Sequence, residues 1–338
     1  MEIAKHRLDR IENGFLNIEK LKLTSLDWMV KHPRFNEILI INCSDNLLTS
    51  LPEWPMVKEV NCRHNQLTSL PKWPLVEVVN CNNNQLTSLP EWPLVKKVRC
   101  FDNRLTWLPE WPMVKELYCN YNQLSTLPKW PLVEVIYCND NRLTWLPEWP
   151  IAKEVFCFNN RLTWLPTWPM VTVVCCYNSQ FTSLPKWPLV EEVYCSHNQL
   201  TSLPEWPLVE IVSCSHNQLT SLPEWPLVNQ VYCDHNQLTW LPLWSSIITL
   251  ECDTNPLPYS DKEYLAKLPR WNSLLAYLRS KTILAKWRKY TRTSVARKKH
   301  DLHNELKYSP DLPFIYRSLE ARHWLANVIY RRWLELRQ

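Results

Sequence analysis

The chain has 338 residues, room for two ordinary domains, but 27 Pro, 20 Trp and 13 Cys beside a single glycine, Gly14, are the usage of something periodic. With one glycine no Gly-rich phosphate cradle can form, which excludes the common nucleotide-binding enzymes. Charge is split: residues 259–338 hold 18 Lys and Arg against 7 Asp and Glu, and residues 1–258 hold 20 against 26, so a part near −6 precedes a part near +11. Such asymmetry implies two jobs, or two surfaces that attract each other.

Residues 1–22 carry Ile3, Leu8, Ile11 and Phe15 at helical spacing, which predicts an N-terminal helical cap. Glu2, Lys5, Arg7, Asp9 and Arg10 stand where a secretory signal needs its apolar run. No stretch approaches the roughly 18 apolar residues of a membrane span. The expectation is a soluble cytoplasmic protein without a transmembrane segment.

The periodic part follows. Leu23-Thr24-Ser25-Leu26 opens a first turn, and the same start returns at Leu48, 25 residues on. One unit then reads Leu48-Thr49-Ser50-Leu51-Pro52-Glu53-Trp54-Pro55-Met56-Val57-Lys58-Glu59-Val60-Asn61-Cys62-Arg63-His64-Asn65-Gln66, and eleven such units of 19 residues run to Pro256. The first turn therefore carries a six-residue insertion. Twelve of the cysteines, from Cys43 to Cys252, and the tryptophans from Trp54 to Trp244 keep the 19-residue step; Cys175 lies off it.

Each unit reads physically as one coil. Val60 and Cys62 point one way and Glu59, Asn61 and Arg63 the other, a half-buried strand. Pro52 and Pro55 lack an N–H and fix φ, so the return segment is extended and polyproline-like, not helical. Asn65 and its equivalents 46, 84, 103, 122, 141, 160, 198, 217, 236 and 255 turn inward, where an amide can satisfy backbone groups that the bend leaves unpaired. Ser179 breaks that series in the turn that also holds Cys175 and Phe181, which makes this the expected irregular coil. A lone coil buries too little to order itself, so coils must stack and the ends need caps.

The spacing Val57-x-x-Val60-x-Cys62-x-x-Asn65-x-Leu67-x-x-Leu70 resembles the leucine-rich repeat, with Cys in the last position of the strand. The Leu-Pro-x-x-Pro ending is similar to the short class found in secreted bacterial effectors. The tryptophan-rich version also resembles leucine-rich-repeat proteins of giant DNA viruses. The resemblance covers 23–258 and implies a repeat solenoid, an α/β horseshoe by family, of about 12 coils. Its short parallel strands would line the concave face, its convex side would be extended, and helical caps would close it. It also implies a non-enzymatic protein-protein interaction scaffold, a viral or effector-like host-interaction factor. The ubiquitin-ligase domain of some such effectors works through a cysteine; here the last one, Cys252, belongs to the ladder, so that activity is not carried over.

On the strand face the outward residues Arg99, Tyr118, Tyr137, Phe156, Tyr194 and Tyr232, with Phe101, Phe158 and Tyr177 beside them, are the candidate partner-binding residues. Clustered rings bury much area at small entropy loss, although ring ladders also serve to stabilise neighbouring strands. Trp54-type residues sit where related repeats place a core leucine and read as structure. Trp107, Trp145, Trp164 and Trp240 replace Ser50-type residues near the convex edge and suggest a second contact surface.

Twelve cysteines in one inward column read as buried, reduced, structural thiols, while Cys175 is expected to face solvent and to be a candidate reactive thiol. His197, His216 and His235 stack on successive coils with Asp234 and Asp253 near; solvated loop histidines are preferred there to a metal site. His300-Asp301-Leu302-His303 lacks the spacing of a zinc-protease helix. No catalytic residue, metal or cofactor is assigned.

Residues 259–338 read as a basic helical region, opened by a capping-box pair, Ser260 and Glu263. Lys281, Lys286, Arg288, Lys289, Arg292, Arg297, Lys298 and Lys299 form a run without an acid, interleaved with Ile283, Leu284, Trp287 and Tyr290. Nucleic acid, an anionic membrane and the acidic solenoid itself are its candidate surfaces. The alternative to a pure repeat scaffold is therefore an adaptor whose tail grips a polyanion while the repeats hold cargo.

Overall fold

The computed structural model describes residues 1–258 and 260–266. Thirteen three-residue strands, β1 (Phe15–Asn17), β2 (Ile40–Asn42), β3 (Glu59–Asn61), β4 (Val78–Asn80), β5 (Lys97–Arg99), β6 (Glu116–Tyr118), β7 (Val135–Tyr137), β8 (Glu154–Phe156), β9 (Val173–Cys175), β10 (Glu192–Tyr194), β11 (Ile211–Ser213), β12 (Gln230–Tyr232) and β13 (Thr249–Glu251), form one parallel sheet in sequence order. One strand per coil is what a 19-residue period with a single Val-x-Cys run can supply. From β2 onward the register advances by one repeat at every step, as in Val60 opposite Val79 and Val79 opposite Val98. The middle residue of each strand points into the core and its two neighbours face outward, so every strand from Ile41 to Leu250 is buried at its centre.

The core is a set of columns rather than a globule. Leu48-, Leu51-, Trp54-, Val57-, Val60- and Cys62-type residues are buried along the whole solenoid. The eleven tryptophans from Trp54 to Trp244 stack with ring centroids 5.8–6.3 Å apart. Each indole from Trp73 to Trp244 also donates its N–H to the carbonyl of the proline in the coil before, as Trp73 does to Pro52 at 3.0 Å and Trp244 to Pro223 at 3.1 Å. Indole fits this site because a buried ring needs an outlet for its one polar group. Trp54, which has no such coil before it, keeps a buried N–H without a partner.

The inward asparagines do for the bends what the tryptophans do for the return segments. Asn65 donates from Nδ2 to the carbonyls of Cys43 and Cys62 at 3.1 Å, and its Oδ1 accepts the Leu48 N–H at 3.0 Å. The same pattern recurs at Asn84, Asn103, Asn122, Asn141, Asn160, Asn198, Asn217, Asn236 and Asn255. The residue before each of these asparagines is left-handed, at φ between 51° and 58°. Asn, Asp and His, the side chains that tolerate such a backbone best, fill most of these positions; Tyr121 and Thr254 are exceptions. At Ser179 the short side chain cannot make the bridge, and its buried Oγ has no partner.

The N-terminal part departs from the helical cap expected over 1–22. Helix α1 spans only Glu2–Asp9 and buries Ala4 and Leu8, while Ile3 and Phe15 are exposed and residues 15–17 are strand β1. The break is local: Asn13 and Gly14 have φ of 52° and 71°, which no helix accepts. The Gly14 carbonyl instead receives the N–H groups of Leu39 and Ile40 at 2.9 and 3.0 Å. A Cβ at Gly14 would lie 2.6 Å from Leu39 Cγ, which accounts for the one glycine of the chain. The six extra residues of the first coil are absorbed by two 3₁₀ turns, Asp27–Met29 and Phe35–Glu37. Arg34 ties this insertion to the cap by donating to the carbonyls of Asp9 and Ile11 at 2.6 and 2.7 Å.

At the other end the capping box is present. The Ser260 N–H reaches Glu263 Oε2 at 3.1 Å and the Glu263 N–H reaches Ser260 Oγ at 3.3 Å, opening a helical stretch at 261–266. Tyr264 is buried against Trp244, with centroids 6.5 Å apart and rings tilted by 57°. Among the described residues no helix is long and apolar enough to cross a membrane.

Candidate binding face

Because the strand residues on either side of the buried centre face outward, each coil adds one position to two solvent-facing columns. In the column of third strand residues, Tyr118, Tyr137 and Phe156 stack with centroids 4.9 and 4.1 Å apart. In the column two residues further on, Phe158 and Tyr177 stack at 4.2 Å. These five rings are half-buried, held by one another but with faces or edges open to solvent. The file has a basic end: the Arg99 guanidinium lies 5.2 Å from the Tyr118 ring centroid and Lys97 Nζ 5.9 Å from it. Phe101 is half-buried in the adjacent column.

Tyr194 and Tyr232 do not join the stack. Cys175 stands between Phe156 and Tyr194, and Ser213 between Tyr194 and Tyr232. Their hydroxyls are instead tied to their own strands, Tyr194 to Glu192 Oε2 at 2.8 Å and Tyr232 to Gln230 Oε1 at 3.2 Å. Burial, and then the bond to Glu192, push the Tyr194 phenol up to about 12. Burial likewise raises Tyr137 and Tyr177, so these hydroxyls remain protonated donors.

The expected solvent-facing, reactive Cys175 is overturned. It points to the outer face, but only 7% of it is accessible, because a thiol set between two rings in register is overtopped by both. Burial pushes it up to about 12, away from the thiolate that reactivity needs. The twelve ladder cysteines are free and buried, and burial raises every one of them.

On the opposite edge Trp107 and Trp164 are about half exposed, at 51% and 53%, and Trp145 also faces solvent. They have a structural task as well. Pro109, Pro147, Pro166 and Pro242, each two residues after one of these edge tryptophans, are buried, whereas Pro52, Pro71, Pro90 and Pro128, which follow Ser or Thr, are half-buried. The edge ring thus shields the proline whose carbonyl receives the next indole or, at Pro242, the Tyr264 hydroxyl. Lys281 to Lys299, with the rest of the basic region from residue 267 on, lie outside the described residues.

A third cluster sits on the bends after β10, β11 and β12. The rings of His197, His216 and His235 stack with centroids 4.2 and 4.1 Å apart. Asp234 Oδ2 lies 2.9 Å from His235 Nδ1 and 3.9 Å from His216 Nε2, and Ser215 donates its hydroxyl to Oδ1. Partial burial pushes the Asp234 carboxyl up, but the bonds from Ser215 and His235 outweigh it and leave the group below the usual carboxylate range. Desolvation, and then the two flanking rings, lower His216 against the pull of Asp234. Electrostatics favour cations here: residues 172–258 contain one Lys, Lys186, against eight Asp and Glu.

No protein-family profile and no curated protein matches the sequence. Solved structures do match the fold. YopM from Yersinia enterocolitica is 26% identical over 72% of this chain, with a TM-score of 0.64, and the chain spans 60% of that protein. YopM from Yersinia pestis, a leucine-rich effector protein, is 24% identical over 76% of this chain and 89% of its own, with a TM-score of 0.61. A leucine-rich-repeat protein of Leptospira interrogans is 24% identical over 75% of this chain and 81% of its own, also at 0.61. With a parallel strand in every coil and leucine-rich-repeat proteins as structural neighbours, the chain has the leucine-rich-repeat fold.

Proposed function

We propose that the chain is a non-enzymatic scaffold that binds a protein partner through the concave strand face between Arg99 and Tyr194. The observation that carries this reading is the pair of ring files, Tyr118–Tyr137–Phe156 and Phe158–Tyr177, standing half-open at the middle of the sheet. Rings already packed against each other lose little freedom when a partner covers them, so most of their burial is available for binding. Arg99 at one end of the file orients the partner's acidic groups toward the first coils, while Lys97 is paired with Glu116. The structural neighbours include effector proteins of bacteria, and a host-interaction role in a host cytoplasm, viral or effector-like, fits the same surface.

The test is paired. Changing Tyr118, Tyr137, Phe156 and Tyr194 together to Ser removes four rings and leaves the inward columns intact. Crosslinked partner capture should fall to background, since buried anchors often carry about 2 kcal/mol or more each. Melting should shift modestly, at about 0.2 to 1 kcal/mol for each lost cross-strand pair. A folded variant that captures the same partners would remove the face from consideration.

A second reading is favoured by the charge split. Eight Lys and Arg between Lys281 and Lys299 face no acid in that run, so the tail is an anchor for nucleic acid or an anionic membrane while the repeats hold cargo. Binding to RNA, DNA or anionic vesicles should then fall steeply with salt as counterions are released. Salt-independent binding, or none, excludes it.

A further inference from the structure

We infer that His216, Asp234 and His235 form a site for a divalent transition-metal ion of the zinc class. The repeat builds it. Because each of these histidines occupies the left-handed position before a ladder asparagine, at φ of 54° and 53°, successive coils deliver imidazoles to the same place. The bends are fixed as well as aligned: the His216 N–H donates to the Asp234 carbonyl and the His235 N–H to the Asp253 carbonyl, both at 3.0 Å. Asp234 enters from between them, and one ligand atom from each of the three residues lies within 4.8 Å of the other two.

The two separations from Asp234 are close to those around a small ion. Ligand atoms at about 2.0 to 2.2 Å from a tetrahedral centre stand about 3.3 Å from one another. The 2.9 Å separation of His235 and Asp234 must open by a few tenths of an ångström, and the 3.9 Å separation of His216 and Asp234 must close by a similar amount. His216 and His235 are exposed and can make these rotations, whereas Asp234 is half-buried and held on its far oxygen by the Ser215 hydroxyl, an outer-shell bond that fixes the ligand's direction. Parallel imidazoles aim their lone pairs side by side, so ligation must turn His216 out of its stack toward Asp234. Two nitrogens and one oxygen select zinc-like ions over magnesium and calcium, which take oxygen ligands, and leave a fourth position for water or a partner's side chain.

The experiment is a calorimetric titration of the full chain with Zn²⁺ at pH 7.5 in strong non-chelating reductant, beside the double variant His216→Asn, His235→Asn. Asparagine accepts the left-handed backbone, so the variant keeps its coils, which unchanged melting without metal verifies. The wild type should bind one equivalent and melt higher with Zn²⁺; the variant should bind on the order of tenfold more weakly or not at all. Because ligation at such a site competes with protons, binding by the wild type should also weaken as the pH is lowered. Equal Zn²⁺ binding by the variant, which would assign the metal to thiols or to the tail histidines, or no binding by the wild type, overturns the proposal. The concave-face reading stands or falls separately, because none of its residues is changed.

Discussion

The Tyr264 hydroxyl donates to the Pro242 carbonyl, the place that a tryptophan indole fills for every corresponding proline from Pro52 to Pro223. The same oxygen accepts the Trp244 N–H at 3.3 Å. A tyrosine outside the repeat therefore takes the place of the tryptophan column's next member.

Tyr264→Phe should leave a buried carbonyl and a buried N–H without this partner. A loss of about 1 to 3 kcal/mol is expected, concentrated in the last coils. Denaturation of the full chain together with hydrogen exchange over 230–258 measures it. Wild-type stability and protection would show that the end is closed by something other than this bond.

Ser179→Asn should stabilise the protein. The substitution restores an amide where the flanking coils show Cys–Asn–Leu bridges and removes a buried hydroxyl without a partner. Bonds of this kind contribute about 0.5 to 1.5 kcal/mol each, so a net gain of about 1 to 2 kcal/mol is expected in the denaturation midpoint. A neutral or destabilising outcome would mean that Phe181, fully buried where other coils place leucine, has reshaped the bend.

Tyr121 and Thr254 hold φ of 52° and 54° in positions where ten other coils use His, Asn or Asp. Replacing either with Asn should raise stability by up to about 1 kcal/mol, since a left-handed backbone costs an ordinary L-residue about 1 to 2 kcal/mol. Thr254 should gain more because its Cβ is branched. Equal stability at both sites would show that the bend is set wholly by its hydrogen bonds.

Stability should fall steeply in alkali. All thirteen thiols are raised in the folded chain by burial, Cys43, Cys175 and Cys252 to about 12. In the unfolded chain they titrate near 8.5. A raised folded value means stability that is complete below the unfolded value and lost as pH climbs toward the folded one. Each thiol removes about 1.4 kcal/mol per pH unit over that window, so the denaturation midpoint should drop sharply between pH 8.5 and 10 while staying insensitive to reductant at pH 7. A flat profile would mean that the cysteine column is open to water.

The one-dimensional pattern was enough for everything that repeats. A 19-residue period holding one Val-x-Cys run admits one strand per coil, and prolines at Pro52 and Pro55 leave the return segment only extended backbone. The inward asparagines, the irregular turn at Ser179 and the capping box at Ser260 and Glu263 were legible for the same reason, since each depends on neighbours a few residues or one period away. The ring files on the strand face were legible as columns, but not which rings would touch.

What the sequence left open depends on contacts that cross coils without keeping the period. Cys175 alternates outward like Tyr194, and only the bulk of Phe156 and Tyr194 on the adjoining strands decides that it is buried. Phe15 keeps helical spacing with Leu8 and Ile11, but the left-handed turn at Asn13 and Gly14 hands residues 15–17 to the sheet, where β2 supplies the hydrogen bonds a helix would have made. Tyr264 carries no repeat signature, and joins the core because Pro242 and Trp244 present a carbonyl and an N–H that its hydroxyl meets.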